Sequence, residues 1–216
     1  MKYLLPLALL LVLVADASAQ KWTQFEYKTG DLLFQDLDCG GLCDAIETVT
    51  PGHKGRKFSH VGLVYVNRDS VWVIEAIGKG VQLTRLDHFM LRSTKGRNKP
   101  KVVVGRMDAS YSRLHGRALG FALQQIGKDY DKEFIYGNGR YYCSELIYDA
   151  YKSANDGEPI FRLPPMTFKD PANNNYFPAW EEYYKELNVE IPEGKPGCNP
   201  GSLANEPSVQ IVKSFY

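Results

Sequence analysis

Two runs of β-branched and aromatic residues, joined by a short polar turn, constrain the fold of this chain most strongly. "FSHVGLVYV" (58–66) and "VWVIEAI" (71–77) flank "NRDS" (67–70). Runs of this composition are typical of strands, and a short polar connection between them predicts an antiparallel hairpin. The chain therefore has to build a sheet around residues 58–77.

The register of this hairpin decides which polar side chains can meet. If Val66 faces Val71, alternation places His60 and Glu75 on the same face of the sheet. Diagonal neighbours lie roughly 7–8 Å apart at the backbone, within reach of long side chains. An unpaired carboxylate in an apolar strand is costly, and a histidine partner removes that cost. A core histidine and an ion pair between Glu75 and Arg or Lys are the alternatives, and a loop of odd length would separate the two side chains.

A second pattern, "GRYYCSELIYDAY" (139–151), predicts an amphipathic helix with a cysteine in its first turn. One face carries Cys143, Leu146, Ile147, Ala150, Tyr151 and Ala154, and the other carries Ser144, Glu145, Asp149 and Lys152. The thiol is therefore expected to point at the sheet. Free N–H groups and the helix dipole favour an anion at this position and can lower a thiol pKa below its usual ~8.5.

A nucleophilic thiol needs a base and a group that orients the base. The candidate bases are His53, His60, His88 and His115, and His60 is favoured because it lies inside an apolar strand. We expect Cys143 to attack a carbonyl, His60 to move the proton, and Glu75 to orient the imidazole.

The four cysteines also allow structural interpretations. An even number in an exported chain makes disulfides a serious alternative. Cys143 could pair with Cys198 or be a packed core thiol. Cys39 and Cys43 could pair with each other, pair with Cys198 or remain reduced, and a zinc site with His53 fits no standard ligand spacing.

The order of the elements predicts an α+β fold built on an antiparallel sheet. Strands dominate the first half of the chain, and helices dominate the second half. A helix through residues 39–48 is expected to be capped by Asp38. We expect residues 20–216 to form a single domain, because domains typically contain ~100–200 residues.

The first 19 residues are typical of a secretory signal peptide. Lys2 precedes an apolar run, and Ala17-Ser18-Ala19 suits a cleavage site. The mature chain is expected to be periplasmic or extracellular, with no transmembrane segment, because the apolar run is shorter than the ~20 residues that span a bilayer. The net charge of +1 and the lack of basic blocks do not indicate a nucleic-acid partner.

Five motifs in this order resemble the YiiX-type permuted papain-like amidases. They are "TGDLLFQ", "FSHVGLV", "VIEAIG", "GKDYD" and "YYCSEL". These enzymes are related to the NlpC-type cell-wall peptidases and, more distantly, to the lecithin retinol acyltransferases. In the ordinary NlpC order the cysteine comes first, whereas here the histidine strand precedes the cysteine helix, as in the circularly permuted arrangement.

The resemblance implies a permuted papain-like fold and the same three functional residues. It places the nucleophile at Cys143, the general base at His60 and the acidic group at Glu75, and Tyr130 and Tyr142 are expected to border the cleft. It implies an amidase or peptidase that cleaves an amide bond without metal or cofactor, on peptide substrates such as peptidoglycan fragments. A lipid acyl hydrolase or acyltransferase, and a binding domain with Cys143 in a disulfide, are the alternatives.

Overall fold

The protein is described here by a computed structural model that covers residues 21–96 and 99–215. Its centre is a six-stranded antiparallel sheet in the order β4-β3-β2-β1-β7-β8. The strands are β1 (Leu32–Gln35), β2 (His60–Asn67), β3 (Ser70–Ile77), β4 (Gly80–Arg85), β7 (Val102–Met107) and β8 (Val209–Ser214). β5 (Thr94–Lys95) and β6 (Lys99–Pro100) form a separate two-stranded sheet. The expected signal peptide at residues 1–19 lies outside the described residues.

Six α-helices are present in the described part of the chain, mostly after the central strands. They are α1 (Gly41–Val49), α2 (Leu86–Leu91), α3 (His115–Gln124), α4 (Cys143–Ala154), α5 (Pro178–Leu187) and α6 (Pro200–Ala204). The prediction of an α+β fold around an antiparallel sheet is confirmed. In residues 21–96 and 99–215, no helix is long and apolar enough to cross a membrane.

The hairpin of β2 and β3 has the predicted register. Val66 faces Val71 and Asn67 faces Ser70, so the connection is the two-residue turn of Arg68 and Asp69. Arg68 adopts the left-handed conformation, with φ of 52°, which suits such a tight turn. An even-numbered loop preserves the alternation that places His60 and Glu75 on one face.

Apolar side chains cover both faces of the sheet. On one face, α4 packs against β2 and β3 and α3 packs against α4, and the shared cluster includes Phe34, Leu63 and Leu146. On the other face, Phe89 of α2 joins a second cluster with the N-terminal Trp22. Burial of both faces explains why the strand runs are apolar almost throughout.

Two expectations about helix α1 were wrong. It begins after Gly40 rather than at Cys39, and no side chain caps its N-terminus. Asp38 instead adopts φ of 41° and forms an ion pair with Lys101. Lys101 also contacts Asp36 at 2.9 Å. A buried lysine between two carboxylates is a better partner for Asp38 than the helix terminus, because the pair neutralises a buried charge.

The expected polar face of α4 was also wrong near its start. Ser144 and Glu145 are buried, and they are as inaccessible as the residues that face the sheet. The segment before α6 returns across this face, and the Ser144 hydroxyl donates to the Cys198 carbonyl at 2.9 Å. Helix α4 is therefore covered on two sides in its first turn.

Candidate active site

Cys143 is the first residue of α4 and follows Tyr142, which has extended backbone angles. Its side chain is buried and its sulfur forms no disulfide. The first N–H groups of a helix have no acceptor within the helix. The thiol therefore lies beside backbone N–H groups that have no acceptor within the helix.

His60 is the first residue of β2 and is buried. Its Nε2 atom lies 2.5 Å from Oε2 of Glu75, and the imidazole also forms a hydrogen bond with Cys143. Since Nε2 is occupied by Glu75, Nδ1 is the ring nitrogen that remains for the thiol. Burial alone lowers the pKa of His60, but the hydrogen bonds with Cys143 and Glu75 outweigh burial and raise it to about 9.

Glu75 is fully buried and accepts hydrogen bonds from three side chains. Besides its contact with His60, it receives two hydrogen bonds from the Arg92 guanidinium, at 2.6 and 2.9 Å, and one from the Thr84 hydroxyl at 2.6 Å. Burial alone raises the pKa of Glu75, but Arg92 and His60 together hold it well below its usual range. Glu75 is therefore a carboxylate whose orientation is fixed from several sides.

Sequence reasoning missed Arg92 and Thr84. Thr84 faces Val73 across the β3–β4 pair, so a correct register for β4 would have placed it on the face of Glu75. Arg92 follows α2, and its approach to Glu75 depends on how that helix packs on the sheet. No local sequence pattern reports that packing.

The other three histidines lie elsewhere. His53 starts a short 3₁₀ turn, and His88 is exposed on α2. His115 begins α3, where its Nδ1 lies 3.1 Å from the Tyr151 hydroxyl. Of the four candidate bases, the structure brings His60 to Cys143.

The cysteines form one bridge and leave two free thiols. Cys39 and Cys43 are joined in a disulfide, whereas Cys143 and Cys198 are free and buried. The pairing of Cys39 with Cys43 is one of the alternatives that the sequence left open. Burial raises the pKa of the Cys198 thiol, which disfavours the reactive thiolate form.

A cavity of about 260 Å³ opens beside the Cys143 thiol. Tyr130 and Tyr142, the two tyrosines expected at the cleft, both line it, together with Cys198. Among the described residues that line it, none is Asp, Glu, Lys, Arg or His. Most of the remaining lining is apolar: Ile46, Val49, Phe134, Pro164, Pro165, Met166, Phe168, Trp180 and Pro200.

Glu145, two residues after Cys143 in α4, is a second buried carboxyl group. One of its oxygens accepts a hydrogen bond from the Gly137 N–H at 2.8 Å, and the other has no partner among the described residues. Burial, together with the nearby Asp149 and Asp131 carboxylates, raises the pKa of Glu145 to about 8. Helical periodicity placed Glu145 on the exposed face of α4, so its burial could not be predicted from the local pattern.

A buried thiol that opens a helix against an antiparallel sheet, beside a histidine–carboxylate pair, defines the class of papain-like cysteine hydrolases. The histidine strand precedes the cysteine helix here, which corresponds to the permuted order. The model of a family described as permuted papain-like amidase enzymes, YaeF/YiiX, C92 family, matches residues 26–213. The chain belongs to this family, and the resemblance inferred from the sequence motifs is confirmed. The family indicates an enzyme of the amidase or peptidase type.

Two individual proteins are similar to the chain, one in sequence and one in fold. The chain is 30% identical to the uncharacterized protein YiiX of Escherichia coli K12 over 147 residues, which make up 68% of this chain and 66% of that protein. A crystal structure described as metalloprotein yiiX from Escherichia coli O157:H7 matches with a TM-score of 0.74 and 24% identity, over 89% of this chain and 99% of that one. Among residues 21–96 and 99–215, no group of three or more His, Cys, Asp or Glu side chains is placed to hold a metal ion.

Proposed function

We propose that this protein hydrolyses an amide bond through a Cys143–His60–Glu75 triad and a thioester intermediate. The observation that carries the proposal is the position of His60, which bonds to Glu75 through Nε2 and to the thiol of Cys143. This arrangement supplies a nucleophile, a proton carrier and a group that fixes the tautomer.

In the first half of the reaction, the Cys143 sulfur attacks the carbonyl carbon while His60 holds the thiol proton. The N–H groups in the first turn of α4 are donors for the oxyanion that forms. When the tetrahedral intermediate collapses, the C–N bond breaks and His60 gives the proton to the departing amine. The acyl group remains on sulfur as a thioester.

In the second half, a water molecule attacks the thioester. His60 accepts a proton from this water, the C–S bond breaks, and the acid leaves while Cys143 recovers its proton. This step needs a neutral imidazole, whereas leaving-group protonation needs a charged one. Glu75 keeps the ring oriented through both halves.

The apolar lining of the cavity indicates which chemical class of substrate the protein binds. Because its lining contains no ionised carboxylate, ammonium or guanidinium group, an uncharged apolar acyl group is the moiety that it fits best. We propose a peptide or related amide whose acyl side is apolar, with cell-wall peptide fragments as the first substrates to test. The same lining favours a second candidate, in which the triad acts on a lipid acyl group by hydrolysis or transfer.

We further propose that the protein acts after export, in the periplasm or outside the cell. The residues 1–19 that support this proposal have the charge, apolar run and small-residue end of a signal peptide. Cell fractionation followed by N-terminal sequencing of the mature protein tests it. Recovery in the cytoplasm with residue 1 intact would contradict it.

The catalytic proposal is tested with purified protein, muropeptides and a series of N-acyl amides with increasing chain length. Mass spectrometry of products reports cleavage, and mass spectrometry of the quenched protein reports an acyl adduct on Cys143. We expect loss of cleavage in Cys143→Ala and His60→Ala and retention of cleavage in Cys198→Ala, which removes the other thiol of the same cavity. Cleavage that survives in Cys143→Ala would overturn the triad. Cleavage of N-acyl amides but not muropeptides would favour the second candidate.

A further inference from the structure

The Glu75 carboxylate bonds to two basic side chains, His60 and Arg92. Its Oε2 atom lies 2.5 Å from His60 Nε2 and 2.9 Å from Arg92 Nη1, so these two nitrogens cannot be more than 5.4 Å apart. Its Oε1 atom accepts hydrogen bonds from Arg92 Nη2 and from Thr84 Oγ1, both at 2.6 Å. The carboxylate therefore divides its negative charge between an arginine and the imidazole.

Arg92 is held in this position by more than its bond to Glu75. Its guanidinium lies over the Phe89 ring, 5.3 Å from the centroid, and the Phe89 ring lies 5.8 Å from the ring of His60. The Arg92 side chain is 26% exposed, so it closes the buried cluster toward solvent. A planar guanidinium that bonds a carboxylate twice and stacks on an aromatic ring is tightly oriented.

The charged groups around His60 come from three elements. Helix α4 contributes Cys143, strand β3 contributes Glu75, and the segment after α2 contributes Arg92 behind Glu75, while β4 contributes the neutral Thr84. A carboxylate favours the charged form of histidine, whereas a second cation within ~4–6 Å disfavours it, typically by about one pKa unit or more. Arg92 and Glu75 therefore act on His60 in opposite directions.

We propose that Arg92 is a positioning residue that limits the negative charge which Glu75 presents to His60, so that the imidazole releases its proton at a lower pH than it would beside Glu75 alone. Breakdown of the acyl-enzyme requires neutral imidazole, so Arg92 would extend this step to lower pH. That catalytic consequence rests on the proposed function, whereas the effect on the titration of His60 does not.

The direct test is an NMR titration of His60 in the Cys143→Ala background, which removes the thiol from the set of neighbours. The His60 signal is assigned by its loss in a His60→Gln variant. Arg92→Gln removes the cation, Arg92→Lys keeps a cation, and Thr84→Val removes a neutral hydrogen bond to the same carboxylate. Circular dichroism checks the fold of each variant, and Arg92→Met, which keeps packing on Phe89, replaces Arg92→Gln if that variant does not fold.

We expect the His60 midpoint to rise by about one pH unit in Arg92→Gln and to stay within about 0.3 unit in Arg92→Lys and Thr84→Val, because only the first change removes a like charge. An unchanged or lower midpoint in Arg92→Gln would overturn the proposal. An equal rise in Arg92→Lys would overturn it as well, because lost packing and not lost charge would then be the cause.

Single-turnover hydrolysis of a chromogenic ester supplies the catalytic readout in proteins with Cys143 intact. The pH midpoint of the deacylation rate should rise in Arg92→Gln by the same amount as the His60 titration. A deacylation midpoint that stays fixed while His60 shifts would overturn the catalytic role of Arg92. If the wild type forms no acyl-enzyme, the proposed function fails, and the titration still decides whether Arg92 sets the charge on His60.

Discussion

Replacement of Glu145 by glutamine should stabilise the protein, and increasingly so as the pH rises. The carboxyl group is buried, has one oxygen without a partner, and has a pKa raised from the ordinary 4.5 to about 8 by burial and by neighbouring carboxylates. The folded protein therefore retains a proton that the unfolded chain has already lost. As far as Glu145 is concerned, the unfolding free energy is highest below pH 4.5, decreases as the pH rises, and levels off above pH 8.

The size of the effect follows from the difference between the two pKa values. Each unit corresponds to ~1.36 kcal/mol, so Glu145 costs about 3 kcal/mol of stability at pH 7 and about 5 kcal/mol at pH 9. Glutamine has nearly the same shape, can still accept the hydrogen bond from the Gly137 N–H, and has no proton to lose. The difference in unfolding free energy between Glu145→Gln and wild type should therefore grow from near zero at pH 4.5 to several kcal/mol at pH 9.

The assay is guanidinium unfolding of both proteins at pH 4.5, 7 and 9. The difference in unfolding free energy between the two proteins cancels the contribution of His60. The raised pKa of His60 stabilises both proteins fully below pH 6.5, and this stabilisation is lost as the pH rises through about 9. Glu190→Gln is the matched control, since Glu190 is exposed and lies outside the helices. A difference that changes by less than about 1 kcal/mol over this range would refute the reasoning, because the expected change is several times larger.

Three further predictions concern the thiol and the carboxylate behind His60. In native protein at pH 6, iodoacetamide should label Cys143 faster than a free model thiol, because His60 contacts the thiol and can accept its proton; an equal or slower rate would argue against a reactive nucleophile. Cys143→Ala should change the unfolding free energy by less than about 1 kcal/mol, whereas a loss of ~2–5 kcal/mol is typical of a removed disulfide and would mean that the sulfur is cross-linked. Glu75→Gln should lower kcat on the order of 10²- to 10⁴-fold with the fold retained by circular dichroism, and wild-type turnover would exclude Glu75 from the mechanism.

The hairpin that carries His60 and Glu75 could be predicted because its signals are local. Four polar residues between two apolar runs suited a hairpin with Val66 opposite Val71, and strand alternation in that register places both side chains on one face. The helix with Cys143 was predictable for the same reason, since periodicity alone identifies the face that packs on the sheet.

The errors all involve contacts between residues that are far apart in the sequence. The exposed face expected for α4 was wrong because the segment around Cys198 returns to cover Ser144 and Glu145. Asp38 was expected to cap α1, but it forms an ion pair with Lys101, which immediately precedes β7, the strand beside β1 in the sheet. Local sequence patterns indicate the conformation and environment that a residue prefers. They do not indicate which distant residue it contacts in the folded chain.

The distribution of charge around Cys143 constrains how a substrate can approach. The lining of the cavity beside the thiol contains no charged residue, whereas His60 contacts Cys143 and is backed by Glu75 and Arg92. In the proposed reaction His60 protonates the leaving amine, so the amine side of the scissile bond would face the histidine. The acyl side would then bind in the apolar cavity. In the proposed mechanism, specificity for the acyl group and control of proton transfer therefore depend on different residues, so the lining can vary without changing the groups that move the proton.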